Sequence, residues 1–342
     1  MSAVMIKEQL NKADVKFEDF YKKAEEIADK RVDYVVNKPY KNIKACPDGS
    51  LSFIGQRGGT SGVIKNKEMT PWAMSQLSIK LGMPSGYAEK CLEHNHGQLF
   101  ADNINTWLGD MDGKRTSDWL IREFDNHIDA MLTSRYAIFD SHDVLTSVKK
   151  AIDVNDYHVV GSYMSDERMH LRLIKDSMLN VDGEDLYPGI FIDSSDVGRT
   201  ALNISFGIWK QVCSNGLCIN KIGGVLYRQR HIGITSLEVE EELIAKVKMI
   251  PAMIEQSEKI IKAAAAEKIN LKAEETFNQI VDKIKRSATV NEAIAKRIIE
   301  IAQNNYSATR WGIVNAMTEI AQEFELDKRI QIEQAAGQLI SA

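Results

Sequence analysis

Apolar residues recur at three- and four-residue steps near the start of the chain. Phe17, Phe20, Ala24, Ile27, Ala28 and Val32 are separated by Lys and Glu, which predicts an amphipathic helix over residues 5–36. The period is then lost, ending in GQRGGTSG from Gly55 to Gly62, where the glycine density predicts a turn or a mobile surface loop. Thr70-Pro71 looks like a helix start, with Thr70 as cap and Pro71 at the first helical position. Helical spacing follows over 71–108 and breaks at Met83-Pro84-Ser85-Gly86.

From Trp119 the pattern becomes that of strands. WLIREF (119–124) and HIDAMLTS (127–134) flank Asp125-Asn126, a two-residue hairpin signal. A helix is expected from Ser141, with Ser141 as cap and Asp143 near the positive end of the helix dipole. Further strands are expected at 157–165, 168–175, 189–195, 200–213 and 225–232. Met169, Leu171 and Leu173 alternate with His170, Arg172 and Lys175, as in a sheet with one wet face. After about residue 236 glycine nearly disappears and Ala, Glu, Lys and Ile dominate. Pro251, a Thr289–Glu292 capping box and Ser307 divide this region into three or four helices, packing on the sheet or on a second subunit.

Hairpin-linked strands without a βαβ rhythm predict an α+β fold. Its sheet should be largely antiparallel, with packed helices, followed by an all-helical C-terminal region. Three segments result: 1–69, an N-terminal helix and Gly-rich loop; 70–235, the α+β core; and 236–342, the helices.

Composition narrows the classes. A chain of 342 residues with 44% hydrophobic and 27% charged residues is ordinary for a globular protein. Four cysteines without a CxxC motif make neither a disulfide scaffold nor a zinc site. The N-terminal segment lacks the apolar core of a signal peptide, and no run is long enough to span a membrane, so a cytoplasmic location is expected. No metal or cofactor is implied: the phosphate-loop, HExxH and GxSxG patterns are all absent.

The net charge of −5 conceals an uneven distribution. Between Val197 and Gly233 there is no Asp or Glu, while Arg199, Lys210, Lys221, Arg228 and Arg230 are present with Phe206, Trp209 and Tyr227 among them. Such a stretch reads as a basic sheet face, with charges tracking phosphates and rings stacking bases. It reads equally as buried strand, with the arginines paired to acids elsewhere. His231 ends the polar run Arg228-Gln229-Arg230. Cys213-Ser214-Asn215-Gly216 carries a tight-turn signal.

These residues also carry a likeness. Trp209, Val212-Cys213, Asn215-Gly216-Leu217 and Arg228-x-Arg230-His231-x-Gly233 resemble a segment of the phage/plasmid-like protein family, domain of unknown function family 932. Ala130-Met131-Leu132, Ser134-Arg135-Tyr136 and Asp140 match upstream, as do Gly189-Ile190, Asp193-Ser194 and Gly198. Asp193 stands where the family pattern leads one to expect Asn. The likeness covers residues 70–233 and leaves the N-terminal segment and the C-terminal helices outside. It implies a mobile-element setting, in DNA metabolism, host takeover or anti-defence, and no established enzymatic role.

Three functions follow as expectations. The first is non-enzymatic binding or annealing of single-stranded nucleic acid by a homo-oligomer, using Arg199, Lys210, Trp209, Tyr227, Arg228, Arg230 and His231. The second is an interaction protein engaging a host factor through its C-terminal helices. The third is a nucleotide or nucleic-acid enzyme using Asp193, Asp196, Arg135 and His231.

Overall fold

The computed structural model describes residues 16–112, 117–160, 162–175, 179–181, 184–210, 215–218, 225–232 and 234–340. The class is α+β, and every strand pairing within the sheets is antiparallel. The strands divide between two sheets instead of forming one.

Helix α1 (Phe17–Lys30) buries Phe17, Phe20, Ala24 and Ile27, the stripe expected from their spacing. It ends sooner than the period implies: Val32 opens strand β1 (Val32–Val36). The short helix α2 (Pro39–Asn42) leads into β2 (Ile43–Ala45), β3 (Leu51–Arg57) and β4 (Thr60–Lys67). The glycine-rich stretch is therefore a hairpin. Gly58 and Gly59 make its two-residue turn at φ +56° and +82°, which glycine adopts without a Cβ penalty. The alternation that betrays a strand is missing because β4 lies largely exposed at a sheet edge.

Helices α3 (Pro71–Leu81), α4 (Ser85–Glu93) and α5 (Gly97–Gly109) follow, and Thr70 caps the first by accepting from the Ala73 N–H. Strands β5 (Trp119–Phe124) and β6 (His127–Thr133) form the expected hairpin. Asp125 and Asn126 both have positive φ, 47° and 71°, as a type I′ turn requires. The first sheet runs β2-β3-β1-β5-β6, with β4 on β3. Strands from both sides of residue 70 thus share it, since β1 pairs with β5.

Helix α6 (Ser141–Ala151) is capped by Asp140, one residue before the expected Ser141, with Asp143 completing the capping box. The second sheet contains β7 (Tyr157–Val159), β8 (Tyr163–Met164), β9 (Met169–Lys175), β10 (Leu179–Val181), β11 (Glu184–Ser194), β12 (Leu202–Lys210), β13 (Asn215–Cys218) and β14 (Val225–Gln229). Its order is β13-β12-β11-β9-β7. Asn215 and Gly216 pair with Lys210 and Trp209, so this Asn-Gly opens a strand rather than forming the turn. On β12, the free edge is shared: β14 takes residues 202–205 and β13 takes 207–210.

Six helices complete the chain: α7 (Ser236–Val247), α8 (Ile250–Ala266), α9 (Glu274–Ala288), α10 (Glu292–Asn305), α11 (Arg310–Ala321) and α12 (Leu326–Ile340). Asn291 caps α10 by accepting from the Ile294 N–H; Thr289, read from sequence as the cap, instead closes α9 with positive φ. Helix α11 is buried almost throughout. The helices pack on the second sheet. Their apolar residues share one core with Leu171, Leu173, Ile190, Ile192, Ile204 and Phe206 of the second sheet. Among the described residues no helix is long and apolar enough to cross a membrane.

Candidate functional site

The two sheets meet over buried charge. Arg122 of β5 is fully buried and donates to both carboxylate oxygens of Asp140 at 2.6 Å and to those of Asp33 at 2.8 and 3.2 Å. Burial works against its positive charge, but Asp140 and Asp33 more than offset that and hold it ionised. It also donates to the Asp196 carbonyl at 2.5 Å. The Asp196 carboxylate accepts from the Ser141 backbone and hydroxyl at 2.9 and 2.7 Å. Alongside, Arg31 comes within 3.1 Å of Asp129, without the alignment of a hydrogen bond. Burial outweighs Arg31 and pushes the Asp129 carboxyl up to about 7.

This joint fixes the segment after β11. Trp72 Nε1 and Gln76 Nε2 both donate to the Val197 carbonyl at 2.9 Å, and the Tyr136 hydroxyl donates to the Ser195 carbonyl at 3.2 Å. Gly198 then turns the chain at φ +77°, where a Cβ would come within 2.9 Å of Leu132.

The segment forms one wall of a cleft of about 370 Å³ that gathers Arg199, Arg228, Arg230, His231 and Tyr136. Alternation along β14 explains the opposite wall. Tyr227 turns into the core, so Arg228 and Arg230 share the exposed face. Among the described residues the cleft lining contains no carboxylate. Arg199 is paired with Glu167 at 2.9 Å and lies over the Trp72 ring, 4.8 Å from its centroid. His231 stacks on Tyr136 with rings parallel and centroids 4.8 Å apart. Its Nδ1–H donates to the Ala137 carbonyl at 3.2 Å, and burial lowers its pKa.

A second polar file lies inside the second sheet. His170 Nδ1 donates to Asp193 at 3.0 Å and its Nε2 accepts from Arg172 at 3.1 Å. Arg172 donates onward to Glu333 of α12 at 2.5 Å, which also accepts from Arg329 at 3.0 Å. Burial raises Asp193, but His170 and Arg168 more than offset it, holding the carboxyl below its usual range. This is the face that alternation marks as wet. In fact His170 and Arg172 are each only 1% exposed: Asp193 of β11 takes the imidazole and Glu333 of α12 takes the guanidinium. A period-two pattern shows that two faces differ, not what covers the polar one.

Residues 130–340, well over half of the chain, match the family model described as a domain of unknown function (DUF932). The chain belongs to that family. No curated protein and no solved structure matches it. The DUF932 match begins at β6 and continues through α12, so it takes in the C-terminal helices that the sequence likeness omits and leaves out residues 70–129. Every residue of the arginine cleft and of the buried file lies within it.

Within the DUF932 region the sequence-derived sites separate. Arg199, Arg228, Arg230 and His231 come together at the cleft. Trp209 and Lys210 do not: Arg228 pairs with Asn203, and Trp209 lies six residues further along β12, about 20 Å away at strand rise. Their side chains lie outside the described residues. Tyr227 is buried in the core, with its pKa raised to about 12 chiefly by that burial, and offers no stacking face. Of the family-motif residues, Tyr136 and Gly198 line the cleft, while Ser134 and Arg135 sit exposed in the turn after β6. Asp193 and Ser194 end β11, buried; Asn215 and Gly216 lie in β13, and Cys213 falls outside the described residues. Asp193, Asp196, Arg135 and His231 do not form one constellation. No two of them hydrogen-bond to each other, and Asp196 and Asp193 serve the joint and the file respectively.

Proposed function

We propose that this DUF932 protein binds single-stranded nucleic acid, with Arg199, Arg228 and Arg230 neutralising backbone phosphates at the cleft. The observation that carries the reading is Arg228 and Arg230: exposed, on one face, and making no ion pair with any described residue. Guanidinium groups arranged around a carboxylate-free cleft suit phosphate oxygens, which they can engage bidentately. Such contacts position a strand without reading its sequence. The reading is non-enzymatic. Tyr136, which lines the cleft, and partly exposed Trp72 beneath Arg199 are its aromatic candidates for a base, in place of Trp209 and Tyr227. The free thiols Cys46 and Cys91 fit a reducing cytoplasm as the place of action.

Fluorescence anisotropy with a labelled oligo-dT tests the proposal. Arg228→Glu with Arg230→Glu is expected to weaken binding at least tenfold while leaving the thermal transition unchanged. Undiminished binding by that variant would overturn it.

A further inference from the structure

Arg199 belongs to two clefts at once. On one side is the arginine cleft; on the other is a cavity of about 270 Å³ bordered by Tyr163, Glu167, Arg168, Glu325 and Asp327. Its guanidinium lies between them and is held toward the second by Glu167.

The backbones beneath this pair are fixed by one side chain. The fully buried Ser195 hydroxyl donates to the Glu167 carbonyl at 2.8 Å and accepts from the Arg199 N–H at 2.9 Å. The Glu167 N–H is tied in turn to the Ser165 hydroxyl at 3.2 Å. The two side chains are looser than this frame: Arg199 is 46% exposed and Glu167 25%. An ion pair so exposed contributes little to stability and exchanges readily. Beside it, the Arg168 guanidinium and the Asp327 carboxylate are committed to other partners. Arg168 bonds Asp193 at 3.2 Å and pairs with Asp327.

Resting on the cleft reading above, we infer that Glu167 is an intramolecular stand-in for a ligand phosphate. It occupies Arg199 in the free protein and yields it when a strand enters the cleft. A carboxylate and a phosphate present the same pair of acceptor oxygens to a guanidinium, so one displaces the other with no change of backbone. The contact is autoinhibitory: it lowers affinity and sets a threshold that weak anions do not cross.

The test is a set of oligo-dT titrations of the full chain at several salt concentrations. Glu167→Gln is expected to tighten binding about two- to fivefold, the range an exposed ion pair represents. The slope of log K against log salt should stay the same, because Arg199 reaches a phosphate in both proteins and the number of contacts is unchanged. Glu325→Gln removes a nearby carboxylate that makes no ion pair with a described residue, and should change neither quantity. In an Arg199→Ala background, Glu167→Gln should have no effect. Equal tightening by Glu325→Gln would reduce the effect to general charge and overturn the inference. So would no change on Glu167→Gln, or an effect that persists without Arg199. If those results come while Arg228→Glu with Arg230→Glu still abolishes binding, the cleft stands and only the role of Glu167 falls. If the double variant binds normally, the cleft itself is lost.

Discussion

Arg122 and Arg228 lie in two different parts of the molecule and show two uses of the same side chain. Arg122 is fully buried at the joint between the sheets, and its donors go to Asp33, Asp140 and the Asp196 carbonyl. Arg228 stands exposed on β14 and pairs with no described carboxylate. A buried guanidinium must be satisfied internally or the fold fails; an exposed one can leave its donors to a ligand. The joint is thus architecture and the cleft is capacity, though the segment from Ser195 to Arg199 connects them.

The largest break in this comparison comes from removing the helices. Deleting residues 237–342 strips the second sheet of much of its core and leaves Arg172 buried without Glu333. The remaining chain is expected to show no cooperative thermal transition by circular dichroism. A truncated chain that melts cooperatively would restore the helices as a separable interaction module.

Next in size is the joint. Arg122→Ala leaves Asp33 and Asp140 without their cation and is expected to cost about 3–5 kcal/mol in denaturant unfolding. Arg228→Ala should change stability by less than about 0.5 kcal/mol.

The joint also predicts an unusual pH dependence. Asp33, Asp129, Asp140 and Asp196 share Arg31 and Arg122 there, with Asp143, Asp166 and His231 close by, and burial raises both Asp129 and Asp196. A carboxyl raised to about 7 in the folded state, against about 4 unfolded, binds more protons when folded between those limits. Its contribution is complete below about pH 4 and is lost as pH rises through about 7. Stability should therefore fall by on the order of a few kcal/mol between pH 5 and pH 8, read from urea midpoints. Asp129→Asn should flatten that slope. An unchanged slope would show that the titrating group lies elsewhere.

The smallest effect separates the observed cleft from the basic, aromatic platform expected from sequence. Tyr227→Leu removes the ring from the core, lowers the melting temperature, and is expected to leave the oligo-dT affinity of the folded chain unchanged. A several-fold loss would return Tyr227 to the interface.

Much of the fold was legible in the pattern. The I′ turn at Asp125-Asn126, the Thr70-Pro71 start and the α1 stripe follow from local chemistry, and the structure bears them out. What the pattern could not supply was whatever depends on neighbours distant in sequence. The His170–Arg172 face is closed by a glutamate some 160 residues away, and the division into two sheets depends on β1 finding β5. The acid-free stretch contains Arg199, Arg228, Arg230 and His231, which the fold brings to one cleft. It also drew in Trp209 and Lys210, because adjacency along the chain does not separate the two ends of one long strand.

The central claim is that the arginine cleft binds single strands. Its most direct measurement is oligo-dT anisotropy across a salt series for the native chain and for Arg228→Glu with Arg230→Glu. The account predicts log K falling linearly with log salt for the native chain, with a slope of about −2 for three phosphate contacts. It also predicts loss of that binding in the variant at an unchanged melting temperature. Salt-insensitive binding, or a variant that binds as the native chain does, would contradict it.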